Sequence, residues 1–179
     1  AALLLLALLI LMTGALHEDG LADCADGFWG GYTPQRRLEI MKDSHIGTYG
    51  VLALGLSLLI RWQALAVLLE QNAYLAIAAA LIASRAAIVV LLAQMPNARP
   101  SGLSAKVGAP PWVSQAIACL LATVALMAVN PLAILFLAAF AWACARLARA
   151  KIGGQTGDVL GGTQQISEIT VLIVLATSA

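Results

Sequence analysis

YLAIAAALIASRAAIVVLLAQM, residues Tyr74–Met95, is an apolar run of 22 residues with a single charge, Arg85, near its middle. A helix needs about 20 mostly apolar residues to cross the hydrocarbon core of a bilayer, so this run is long enough to span by itself. Immediately before it, across only Glu70–Ala73, ends a second run of similar length, Thr48–Leu69. Two spanning lengths joined by so short a turn read as a helical hairpin through a membrane.

Further out lie Trp112–Val129, also long enough to span, and Pro131–Ala145, separated from it by Asn130; proline after Asn130 disfavours helix there and marks a tight turn. Pro131–Ala145 is short alone but lengthens if Arg146 and Arg149 snorkel their heads to the interface. Ala1–Leu16 and Ile169–Ala179 are apolar runs that look cut short. Composition agrees: 61% of the 179 residues are hydrophobic and 11% charged, against about 45–50% and about 25% in soluble domains. This excludes a soluble globular enzyme and a disordered chain. A formal charge of +1 leaves no excess of cations for a phosphate backbone, so no nucleic-acid partner is expected. The expected fold class is all-α, a polytopic transmembrane helix bundle of about six spans, with residues 1–179 forming a single membrane-embedded domain in contact with the lipid bilayer. The chain is expected to be a piece truncated at both ends. Its first run lacks the basic flank of a signal peptide. Cys24, Cys119 and Cys144 show no CxxC spacing and read as small apolar residues.

Connection lengths alternate. The long polar segments His17–Gly47, Pro96–Pro111 and Lys151–Glu168 fall on one face if every run spans once, and the short turns fall on the other. The long-segment face carries Arg36, Arg37, Lys42, Arg99, Lys106, Arg146, Arg149 and Lys151, and every acid except Glu70. The positive-inside rule makes that face cytoplasmic.

In the first polar segment Asp19, Asp23 and Asp26 stand at i, i+4 and i+7, one stripe of a helix. Carboxylates so placed repel unless a cation lies between them, and oxygen ligands select a hard divalent ion; the alternative is a solvated acidic helix end. Next comes Arg36-Arg37-Leu38-Glu39-Ile40-Met41-Lys42-Asp43-Ser44-His45, where Asp43 offers another carboxylate and the cations suit phosphate oxygens or anionic lipid heads. His17 and His45 are each either a proton carrier or an interfacial hydrogen-bonding residue. The segment Gly153–Gly162 is either a phosphate-approaching backbone or a flexible interhelical loop; it is no P-loop. Gln164, Gln165 and Glu168 are expected at the entry to the last span. Arg61 is expected to snorkel or to end its helix early, and Arg85 to face a polar cavity or an acidic partner.

The run Leu16–Gly31, containing His17-Glu18-Asp19-Gly20-Leu21-Ala22-Asp23-Cys24-Ala25-Asp26-Gly27, followed by Arg36–Gly50, resembles the cobalamin synthase family, also called adenosylcobinamide-GDP ribazoletransferase. Pro96-Asn97-Ala98-Arg99-Pro100 with Gly102 is similar to that family's central loop, and Gly154-Gln155-Thr156-Gly157-Asp158-Val159-Leu160-Gly161 to its C-terminal signature. The resemblance implies a membrane-embedded catalytic domain in the cell (inner) membrane with its site toward the cytoplasm. It implies magnesium-dependent joining of adenosylcobinamide-GDP to α-ribazole or its 5′-phosphate, releasing GMP and giving adenosylcobalamin or its phosphate. Under it, Asp19, Asp23 and Asp26 are expected as metal ligands, Asp43 as ligand or general base, and Lys42 as a catalytic phosphate contact. Arg36, Arg37, Arg99, Gln155, Thr156 and Asp158 are expected to bind substrate, with Asp158 also able to hold a second metal. Two other readings are a CDP-alcohol phosphatidyltransferase, whose motif has arginine where Asp23 follows Ala22 here, and a cation transporter using the acidic stripe.

Overall fold

The computed structural model describes residues 1–178 and is built from helices throughout: α1 Ala2–Thr13, α2 Leu16–Gly30, α3 Pro34–Ile40, α4 Thr48–Glu70, α5 Tyr74–Gln94, α6 Leu103–Val107, α7 Trp112–Met127, α8 Leu132–Ile152 and α9 Gly157–Ser178. Among the described residues the one strand-like pairing is an isolated parallel bridge, Asn97 with Gln155.

Four helices, α4, α5, α8 and α9, are long and apolar enough to cross a membrane, and α1 with α2 makes a fifth candidate bent by 85°. The bend sits at Gly14 and Ala15, both left-handed, with φ of 61° and 58°. α7 has 16 residues, below the usual spanning length. The sequence-based count of about six spans is thus approximate. The helical hairpin α4–α5 and the turn at Asn130 form as expected, and α8 runs on through Arg146 and Arg149 to Ile152.

One boundary differs from expectation. Lys151–Glu168 is not a long loop: α9 starts at Gly157, so most of this polar segment is helix and the last span begins 12 residues before Ile169. Gln164, Gln165 and Glu168 on its polar face are bonded inside the bundle rather than by solvent. Thr156 begins the helix by accepting the Val159 N–H at 3.3 Å on its Oγ1, as N-cap residues do.

The apolar core joins Leu65 and Leu68 of α4, Ala76, Ala79, Ala80 and Ala83 of α5, Leu126 of α7 and Val171, Leu172 and Leu175 of α9. Small residues dominate the buried face of α5, which lets neighbouring backbones approach closely, as in membrane bundles where lipid supplies no hydrophobic drive between helices. Large apolar side chains instead face outward, including Leu52, Leu56 and Leu59 of α4 and Leu120, Leu121 and Val124 of α7.

α2 and α9 cross most tightly. A Cβ at Gly20 would lie 2.6 Å from the Asp158 carbonyl oxygen, and one at Gly161 3.1 Å from the Leu16 carbonyl oxygen. Gly154 packs just as closely beneath the Pro96 carbonyl. These glycines serve helix and loop packing, so of the two readings left open for Gly153–Gly162 the flexible interhelical loop does not hold, α9 beginning at Gly157.

The long segments meet at one end of the bundle. Arg37 donates to the Lys151 carbonyl at 2.9 Å, Lys151 to the Phe28 carbonyl at 3.0 Å, and Arg149 to the Gln94 carbonyl at 2.9 Å. At the opposite end Asn130 bonds Ser178 at 2.7 Å.

Candidate functional site

A cavity of about 270 Å³, largely apolar in lining but carrying a charged patch, opens at the long-segment end, between α2, α5, the Pro96–Gly102 loop with α6, and the start of α9. His17 and Asp19 enter it from α2, Arg99 from the loop, and Thr156 and Asp158 from the start of α9. The loop is tied to the residues before α9 by two backbone bonds of 2.8 Å, Ala98 N–H to Gln155 O and Gln155 N–H to Pro96 O. Arg99 and Asp158 are held in place by these bonds and form an ion pair at 3.2 Å, both largely shielded from solvent. Arg99 also reaches the Leu38 carbonyl at 3.4 Å, and the Thr156 hydroxyl donates to Asp158 at 3.2 Å.

Asp23 stands half-buried near this cavity. Its carboxylate feels Asp158, Asp19 and Asp26 as like charges, offset by Arg99. One guanidinium therefore faces several carboxylates, leaving a local excess of negative charge suited to a further cation or a positively charged group.

The expected four-carboxylate metal set is not gathered. Among the described residues no three His, Cys, Asp or Glu side chains form a group able to hold a metal ion. Asp26 accepts the Gly47 N–H at 2.7 Å and the Gly50 N–H at 2.9 Å, using its two oxygens to hold the start of α4 against α2. Asp43 is exposed and bonds the His45 ring at 2.7 Å. That bond holds Asp43 below the usual carboxylate range and raises His45 above the usual imidazole value.

The expected substrate residues divide similarly. Arg99, Thr156 and Asp158 share the cavity. Gln155 is buried and donates to the Asn97 side chain, tying the loop from below. Arg37 caps α8 through the Lys151 carbonyl, while Arg36 pairs with Glu39 at 2.9 Å in solvent. Lys42 is exposed at the same end.

A second polar cluster, which the sequence reading did not assemble, lies deep in the bundle. Arg61, far from snorkelling or ending its helix, is 2% exposed; Nη1 bonds Glu18 Oε1 at 2.7 Å, and Nε and Nη2 each lie 2.9 Å from Glu168 Oε1. Gln165 joins both Arg61, at 3.0 Å, and Glu18, at 3.2 Å. Gln164 donates to Glu168 at 2.6 Å and to Ser84 at 3.2 Å. Arg85 does find an acidic neighbour, Glu168 at 4.0 Å, although its short bond is to the Leu81 carbonyl. The signal available in sequence was the pair of charges within apolar runs, Arg61 in one and Glu168 beside another.

Fold and site together define a multi-pass helical membrane protein in which carboxylates and an arginine converge on one cavity. The chain belongs to the cobalamin-5-phosphate synthase family, whose model matches residues 1–176. An adenosylcobinamide-GDP ribazoletransferase of Bradyrhizobium diazoefficiens is 51% identical, covering 98% of this chain and 70% of the relative. Proteins of the same description from Mesorhizobium japonicum and Brucella ovis are 44% and 42% identical, over 99% and 98% of this chain and 71% and 72% of theirs. No solved structure matches. Neither the phosphatidyltransferase nor the transporter reading is favoured by these relatives.

Proposed function

We propose that this chain joins adenosylcobinamide-GDP to α-ribazole or its 5′-phosphate, releasing GMP and giving adenosylcobalamin or its 5′-phosphate in cobalamin biosynthesis. The carrying observation is the cavity at the α2–α9 crossing, where the motifs Leu16–Gly31, Pro96–Gly102 and Gly154–Gly161 come together with Asp19, Arg99 and Asp158 on its wall.

The reaction is attack of a ribose hydroxyl on a pyrophosphate phosphorus: a P–O bond forms to ribazole, the P–O bond to GMP breaks, and the hydroxyl proton passes to the Asp158 carboxylate on the cavity wall. Arg99, preorganised by Asp158, offers a planar fork to pyrophosphate oxygens and orients the phosphorus for attack. Thr156 holds Asp158, so that substrate phosphate competing for Arg99 leaves Asp158 free to accept a proton or a cation. Arg36 and Lys42, exposed at the same end, attract the anionic substrate, and Asp43 stands beside Lys42 as an outer carboxylate. A magnesium requirement is part of the proposal; Asp19, Asp23 and Asp158 are the carboxylates at or near the cavity, but among the described residues they do not form a preformed metal-holding group.

The membrane proposed is the inner one, with the cavity toward the cytoplasm, because the basic residues concentrate at the cavity end. The test uses the complete enzyme in nanodiscs with adenosylcobinamide-GDP, α-ribazole and magnesium, following GMP and the corrinoid product. GMP formed in step with a ribazole-containing corrinoid supports the reading. Absence of coupled product, or full activity in the presence of EDTA, overturns respectively the reaction or its metal dependence.

A further inference from the structure

We propose that Arg61 is a positioning residue for the transfer site, a clamp on α4 that sets the register of α2 against α9. The proposal rests on the transferase reading above. Arg61 reaches both helices at once, Glu18 on α2 at 2.7 Å and Glu168 on α9 at 2.9 Å. Gln165 repeats the link, bonding Glu18 and Arg61 together.

Both anchors are coupled in sequence to the cavity. Glu18 directly precedes Asp19. Gln165 lies seven residues after Asp158, on the same face of α9. Between the clamp and the cavity, Gly20 packs on the Asp158 backbone and Gly161 on Leu16 and His17. A slide of α2 by one residue along its axis, about 1.5 Å, would break the clamp bonds and carry Asp19 and Asp23 away from Asp158.

Charge balance alone does not require this arrangement. Glu18 and Glu168 lie on different helices, and a single ammonium could neutralise one of them; the guanidinium fork is what reaches both. The cluster contributes no lining residue to the cavity of Arg99 and Asp158, so any effect on turnover acts through helix placement.

The test uses the complete enzyme in nanodiscs with three variants: Arg61→Lys, Arg61→Met, and the neutralised triple Glu18→Gln with Arg61→Met and Glu168→Gln. Removing all three charges leaves no buried ion unpaired, so the triple is expected to insert and to melt near the parent temperature. Turnover in the triple and in Arg61→Lys is expected to fall 10- to 100-fold, as an ångström-scale misplacement produces. Binding of adenosylcobinamide-GDP, measured directly, is expected to change less than about threefold. A folded triple with parental turnover overturns the proposal, as does a loss residing wholly in substrate affinity.

A second readout needs no activity. A Cβ at Gly162 would lie 3.5 Å from Cys24 Sγ, so Gly162→Cys, with the other cysteines removed, reports the α2–α9 register by disulfide formation under mild oxidation. Arg61→Lys is expected to slow that cross-link severalfold. An unchanged rate overturns the clamp. If the complete enzyme makes no product while Arg61→Lys still slows the cross-link, the transferase reading falls and the register role stands.

Discussion

The two polar clusters of this molecule lie about two helical turns apart along α9 and are satisfied in opposite ways. Around Arg61 nearly every donor meets an acceptor, exposure is almost nil, and two glutamates share one guanidinium with Arg85 close by. Around Arg99 the carboxylates outnumber the cations, Asp19 is exposed, and the cavity is open. The closed cluster has little room for a ligand; the open one keeps unspent charge, which the proposed function assigns to substrate. Under that proposal structure and chemistry are separated along the same helix pair.

The largest expected effect lies at the open cluster. Asp23→Asn in the complete enzyme should lower transfer by two or more orders of magnitude, about 10²–10³-fold as for loss of a principal electrostatic group, with melting temperature nearly unchanged. Parental activity at saturating magnesium would break the contrast by showing that this charge is unused.

The closed cluster should respond in the reverse sense. Arg61→Met alone strands two buried carboxylates, a loss of about 3–5 kcal/mol for a broken buried pair. The expected result is low membrane abundance and a clearly depressed melting temperature, measured by a thermal shift in detergent. A normal melting temperature would mean that water reaches Glu18 and Glu168.

Arg99→Ala sharpens the functional half of the comparison. Its effect is expected mainly on adenosylcobinamide-GDP, with kcat/KM reduced about tenfold, or about 1.4 kcal/mol, and the magnesium requirement little altered. Kinetics varying each substrate separately check this; a defect confined to ribazole reassigns the residue.

The smallest effect concerns the exposed pair Asp43–His45. His45 is raised and Asp43 lowered, so the pair is fully formed between the ordinary carboxylate and imidazole values. It is lost as pH rises through the raised His45 value, or falls through the lowered Asp43 value. An NMR titration should show His45 returning toward its ordinary pKa in Asp43→Asn.

Spans and motifs were readable because each is local: apolar length marks α4 and α5, and the order of three signatures marks the site. Partners were not readable. Asp26 has the spacing of a ligand, yet its oxygens are taken by Gly47 and Gly50 from another segment. Arg61 sits in an apolar run and looks like an interfacial residue until Glu18 and Glu168 are brought around it. Spacing within one helix reports a shared face, but the facing groups belong to the tertiary arrangement. Gly154, Gly161 and Gly162 were unreadable for the same reason, since what they accommodate is the Pro96 loop and α2.

Gly20 shows where this arrangement is least tolerant. The backbones of α2 and α9 approach until only a hydrogen atom fits between them, so the spacing across the cavity is encoded by a missing side chain. Alanine there adds one methyl group and no new chemistry, yet it must wedge the two helices apart. A neutral change in composition thereby becomes a spacer, widening the gap between α2 and α9 while leaving every charged residue intact.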